Sequence, residues 1–197
     1  MSPFLAIQFV TFVINLFLGF LILYRNPRSQ IHRYFWLFAF GVATWNLSLF
    51  LVISELGQPL LWGRLAFSFA SLMPTGLFIF SAAFPWADKN IAFIKIALLT
   101  LGVVFFTFPL TNLIIKSVRV VDQTYITGEL TPFYFVYLVH HFGFLIWAFA
   151  KLLRKRKKSQ GIQKTQLKYV ATGVMIFFVP LFTTQLILPS FGIFRFN

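Results

Sequence analysis

The chain has 197 residues, 59% of them hydrophobic and only 11% charged, against roughly half and a quarter in a soluble domain. Its formal net charge is +13, but the cations lie between long apolar runs and gather in a few short loops. That distribution argues against nucleic acid and for topology signals and contacts with anionic lipid headgroups. There is no cysteine, so disulfides and thiolate metal sites are excluded.

The first apolar run covers residues 3–24 and carries no charge. It is too long for the core of a cleavable signal peptide and lacks a basic start, so it reads as a first membrane span. Asn26-Pro27 then marks a turn, because the residue before proline is pushed out of helical geometry. Spans two and three are predicted over 34–54 and 60–84, separated by the turn residues Glu55, Gly57, Gln58 and Pro59. Span four is predicted over 95–115, with its start at Ile91 or Lys95. The polar stretch 116–131 is rich in β-formers such as Val118, Val120, Val121 and Tyr125. It predicts a small hairpin or lid with Gly128 in its turn. Span five covers 132–150, a basic segment fills 151–168, and span six covers 169–188. The runs are continuous rather than alternating, which excludes barrel strands. The expected fold class is therefore all-α, a polytopic membrane bundle of about six transmembrane helices, read as a single domain over 1–197.

Lysine and arginine place the loops. Thirteen of them follow spans one, three and five, against four on the other side, Arg64, Lys116, Arg119 and Arg195. The bias puts the odd-numbered loops in the cytoplasm and the N-terminus outside, in a multi-pass protein of the inner (plasma) membrane. With six spans the C-terminus is expected outside as well.

Few side chains inside the spans are polar. His140 and His141 lie near the middle of span five. Adjacent positions point about 100° apart, so they cannot chelate one metal as an i, i+4 pair would. Tyr134, Tyr137 and His141 share a face. Two readings stand for the histidines: neutral rings hydrogen-bonded to a neighbouring helix, or part of a ligand pocket or proton sensor with Tyr137. Arg64, a turn inside span three, either snorkels to the outer interface with help from Glu55 or offers an anion-binding group at the mouth of an outer cavity. Asn15, Asn46, Ser48, Asn112, Thr183, Thr184 and Gln185 suggest interhelical hydrogen bonds. Pro74, Pro109 and Pro180 suggest kinks. The basic segment 151–168 is a topology anchor and lipid contact, or a lever to a cytoplasmic partner. Motifs of soluble enzymes are absent, and no span carries an acid, which weighs against catalysis and ion-coupled transport alike. No catalytic residue, metal ligand or cofactor is assigned.

Several local patterns line up along nearly the whole chain. They are Arg25-Asn26-Pro27 with Arg33 and Trp45; Trp62-Gly63-Arg64 opening span three and Phe84-Pro85 closing it; then Gln166-Leu167-Lys168-Tyr169, Gly173, and Leu188-Pro189 with Gly192. In these the chain resembles the seven-helix N-terminal sensor region of bacterial histidine kinases. The resemblance implies a signal-input module that hands a stimulus to a cytoplasmic kinase or another output domain, with a second copy of the chain as a candidate partner. It carries over no ligand-binding residue. The family's seventh helix and its kinase part are not in these 197 residues, so the chain is expected to be about six of seven helices, without phosphorylating activity of its own. The alternative is a six-helix small-molecule-binding subunit of a transporter, although span one lacks the Ala-x-x-x-Ala docking patch of such subunits.

Overall fold

The computed structural model describes residues 3–121 and 125–183. It contains six α-helices: α1 (Pro3–Arg25), α2 (Gln30–Ile53), α3 (Pro59–Ala83), α4 (Ile91–Thr107), α5 (Phe133–Lys158) and α6 (Gly161–Phe182). A single 3₁₀ turn (Phe108–Leu110) follows α4, and an antiparallel hairpin, β1 (Ile115–Val121) and β2 (Tyr125–Leu130), precedes α5. Helices α1 to α5 are long and apolar enough to cross a membrane. The chain is a polytopic membrane bundle. The predicted end of the sixth span, residues 184–188, lies outside the described residues.

The bundle is organised around α3. Within its apolar stretch 78% of the residues are buried, against 11% for α1 and for α4. That contrast makes α3 the hub: α2, α4 and α5 pack directly on it, α1 leans on α2, and α6 leans on α5. The sequence of α3 explains this role. Gly63, Ala66, Ser68, Ala70, Ser71, Thr75, Gly76, Ala82 and Ala83 are all buried on it. In a bilayer small residues let backbones approach, and packing rather than water exclusion holds helices together. At Gly76 an added Cβ would lie 2.8 Å from the Phe38 amide nitrogen of α2, and at Gly41 it would lie 3.1 Å from Leu72 Cβ. Outward faces are apolar instead: Ile7, Phe17, Phe93, Ile96, Phe135 and Val139 are all exposed, as a surface solvated by lipid tails requires.

Several expectations are corrected. Helix α4 stops at Thr107, short of the predicted Ile115, because Pro109 lies in the 3₁₀ turn and cannot continue the α-helical ladder. Pro109 thus ends a span rather than kinking one. The hairpin forms as expected, but Gly128 is not in its turn. It sits in β2 opposite Val118, where a Cβ would collide with the Ser117 carbonyl oxygen. The hairpin packs on the start of α3, with Val118 seated against Gly63, where a Cβ would come within 2.7 Å of it. The basic segment is not an extended loop: α5 runs on to Lys158 and α6 begins at Gly161. Four of the polars expected to bond between helices bond within their own instead. Asn15 donates to Thr11 O, Asn46 to Val42 O, Ser48 to Thr44 O and Thr183 to Val179 O. One turn back along the same helix a carbonyl is always in reach. Thr184 and Gln185 lie outside the described residues.

Candidate functional site

Two polar constellations stand out, and α5 carries part of both. The first is a small cavity of about 50 Å³ among α2, α3 and α5, lined by Trp45, Phe67, Ala70, Met73, Tyr134, Tyr137, Leu138, His141 and Phe142. The spacing of Tyr134, Tyr137, Leu138 and His141 places them on one face of α5, and that face lines the cavity. Tyr137 is buried, and its hydroxyl donates to the Phe67 carbonyl of α3 at 2.8 Å. Its ring stacks on His141 with centroids 5.8 Å apart. His141 is only 6% exposed, and its Nδ1 has no hydrogen-bond partner among the described residues.

The four residues singled out from sequence therefore part company. Tyr137 and His141 meet in the cavity. His140, equally buried, turns away from it and stacks flat on Phe105 of α4, with centroids 3.8 Å apart and planes 8° from parallel. Neither of its ring nitrogens has a hydrogen-bond partner among the described residues. The expected bond from a histidine to a neighbouring helix is thus replaced by aromatic stacking, which uses the ring face and leaves the nitrogens unpaired. Arg64 does not line the cavity. It donates to Asn112 Oδ1, in the turn before the hairpin, rather than pairing with Glu55. Asn112 is the one of the expected interhelical polars that reaches across elements, bracing the hairpin base against α3. Among the described residues no group of three or more histidine and acidic side chains could hold a metal.

The second constellation was not foreseen. Lys155, on the basic end of α5, turns inward and is buried. Its ammonium donates to the carbonyls of Ala82 at 2.9 Å, Phe84 at 3.1 Å and Trp86 at 2.7 Å. These carbonyls lie at and just beyond the C-terminal end of α3, which carries negative partial charge, and the Ala82 carbonyl also accepts from the Asp88 backbone amide at 3.0 Å. Asp88, in the turn that follows, accepts from Lys155 through Oδ1 at 3.1 Å and from Lys151 through Oδ2 at 2.6 Å. Burial alone would raise the Asp88 carboxyl. The hydrogen bonds and charges of Lys151 and Lys155 outweigh it and hold the group below the usual carboxylate range. Lys151 also lies 5.0 Å above the Phe78 ring and Lys155 5.6 Å above Trp86. The signal for this clasp was present in the sequence. Asp88 is the only acid on the basic side, and Lys151 and Lys155 are four residues apart, on one helical face.

A family model described as the N-terminal 7TM region of histidine kinase matches residues 7–196. No curated protein and no solved structure matches the chain.

Proposed function

Because the chain belongs to the family of N-terminal 7TM regions of histidine kinases, we propose that it is a membrane-embedded signal-input module that relays a stimulus to a cytoplasmic output domain. The observation that carries the mechanism is the unpaired Nδ1 of His141, on a ring that lines the cavity beside Tyr137. A buried polar atom without a partner calls for an occupant, and in a bilayer it is a functional candidate by default. At about 50 Å³ the cavity holds a few waters. A larger occupant that reaches the His141 ring presses on side chains of α2, α3 and α5. Occupancy would therefore favour one helix packing over another, and such differential contact is what a population shift requires.

Helix α5 is the natural relay in this reading. Its outer half carries Tyr137 and His141, and its inner end carries Lys151 and Lys155, which grip the end of α3 and the turn beyond it. A movement of α5 at the cavity would strain or release that grip. The test measures output as phosphate incorporated in reconstituted membranes by the chain joined to a histidine-kinase output domain. His141→Leu and Tyr137→Phe are expected to change basal or stimulated output at least about threefold, the scale of a ~0.7 kcal/mol shift in a two-state balance. Unchanged output in both variants would remove the cavity from the mechanism.

The same reading places the clasp in the cytoplasm and the hairpin outside, following the cation bias. The cysteine-free sequence makes this easy to check. A thiol at Ser117→Cys is expected to react with a membrane-impermeant maleimide in intact cells, and one at the exposed Gln160→Cys only after permeabilisation. The reverse pattern inverts the topology.

A further inference from the structure

Helices α5 and α6 meet in a corner, and the cations of that corner divide into two sets. Lys151 and Lys155 are spent on Asp88 and the end of α3. Arg156, Lys157 and Lys164 are not. With Leu153 they line an open cleft of about 410 Å³ between the two helices. The ion pairs among the described residues are Lys116 with Glu129 and the two made by Asp88, so none of these three cations has an acidic partner there. No acid lies in the first turn of α6 to neutralise them.

We propose that this cleft is a discrete binding site for the phosphate of an anionic lipid headgroup. Three observations point to lipid rather than to a soluble polyanion. The cleft lies at the end of a membrane-crossing helix, within two turns of its last apolar stretch, where the headgroup layer must run. Leu153 lines the cleft together with the three cations, so an acyl chain finds apolar contact directly beside the charges. The cations converge from two helices on one opening, unlike a solvated charge run along a single face, and basic pockets between membrane helices take lipid headgroups. Arg156 can offer a planar fork to phosphate oxygens, with Lys157 and Lys164 as point charges. The site requires nothing of the cavity and stands whether or not that cavity senses a ligand.

The test is lipid retention by the full chain in nanodiscs of phosphatidylcholine doped with phosphatidylglycerol, read by native mass spectrometry after detergent exchange. The triple variant Arg156→Gln, Lys157→Gln, Lys164→Gln is expected to retain phosphatidylglycerol about 100-fold less well than the unmodified chain, at about fivefold per cation removed. A control with Lys116→Gln and Arg119→Gln, on the hairpin, is expected to retain it unchanged. If the triple variant fails to insert, the single Lys164→Glu on exposed surface takes its place, with at least a fivefold loss expected. Equal retention by variant and unmodified chain overturns the proposal. So does equal loss in the hairpin control, which would make the attraction one of net charge only. Displacement of the lipid by millimolar inorganic phosphate would assign the cleft to a free anion instead, and a duplex oligonucleotide that displaces it would assign it to nucleic acid.

Discussion

Replacing Lys155 by methionine is expected to destabilise the bundle by about 3 kcal/mol, an effect of the size seen when one partner of a buried charged network is removed. An ammonium has three protons, and three backbone carbonyls and a carboxylate oxygen converge on this one. Methionine preserves the length and apolar stem of the side chain. It removes the ammonium donor from the Phe84 and Trp86 carbonyls at a buried helix end, while Ala82 keeps the Asp88 amide, and such orphaned groups cost about 1–3 kcal/mol each before water repairs them. Arginine does not rescue the variant, because a planar fork cannot converge its protons on one point. Lys151 still holds Asp88, so the loss stays below that of the whole clasp. Unfolding of the detergent-solubilised chain, followed by circular dichroism, measures the change. Lys158→Met, on the exposed side of the same turn, serves as the control and is expected to stay within about 0.5 kcal/mol. Equal stability for the Lys155 and Lys158 variants would show that the clasp holds nothing. The carboxylate part of the clasp has a pH signature. The Asp88 carboxyl is held below its ordinary range, so its contribution is full above that range and fades only as the pH falls through the lowered value.

Gly76→Leu is expected to cost roughly 3 kcal/mol or more, through overpacking rather than lost bonding. A Cβ at Gly76 would stand 2.8 Å from the Phe38 nitrogen and 3.0 Å from its Cα. Both atoms are backbone, so no rotamer change can make room and α2 must move off α3 as a body. Gly76→Ala is expected to cost about 1–2 kcal/mol for the same reason, with the smaller group demanding a smaller shift. Gly173 of α6 is the internal comparison. A Cβ there would meet nothing within 4 Å, and leucine at that position is expected to be tolerated. If Gly76→Leu and Gly173→Leu unfold alike, the close α2–α3 contact is not what joins these helices.

The helices and the hairpin were legible because their signals are long and local. Continuous apolar runs, the Asn26-Pro27 turn and the β-branched stretch after Lys116 each specify structure from within a dozen residues. The hub role of α3 was not legible in the same way. Its small residues read as ordinary membrane composition until Phe38 and Met73 are seen at backbone distance from Gly76 and Gly41. At the candidate site, the shared face of Tyr134, Tyr137 and His141 follows from helical spacing alone, and these three line the cavity. The separation of His140 from His141 depends on Phe105, which belongs to another helix and lies 35 positions earlier. Arg64 lies near the start of α3, as chain order requires, but its partner Asn112 is 48 positions away. The clasp went unseen because a run of cations invites a single explanation. Lys155 differs from its neighbours only by facing α3, and that orientation was fixed by the continuation of α5 beyond the membrane to Lys158. A basic loop has no faces, but a basic helix has one that can turn inward.

If the hairpin end of α3 is mechanically joined to the clasp at its other end, a change at one end must reach the other. Phosphate incorporation by the same kinase fusion is compared in proteoliposomes, with the hairpin 116–131 intact and with it replaced by a short glycine–serine link. Val118 is seated on Gly63, and Arg64 is braced by Asn112, so removing the hairpin frees that end of α3. The expected result is normal insertion with output changed at least threefold, the ~0.7 kcal/mol that a modest shift in helix packing supplies. Normal insertion with the same output and the same response to stimulus would show that the two ends are not joined.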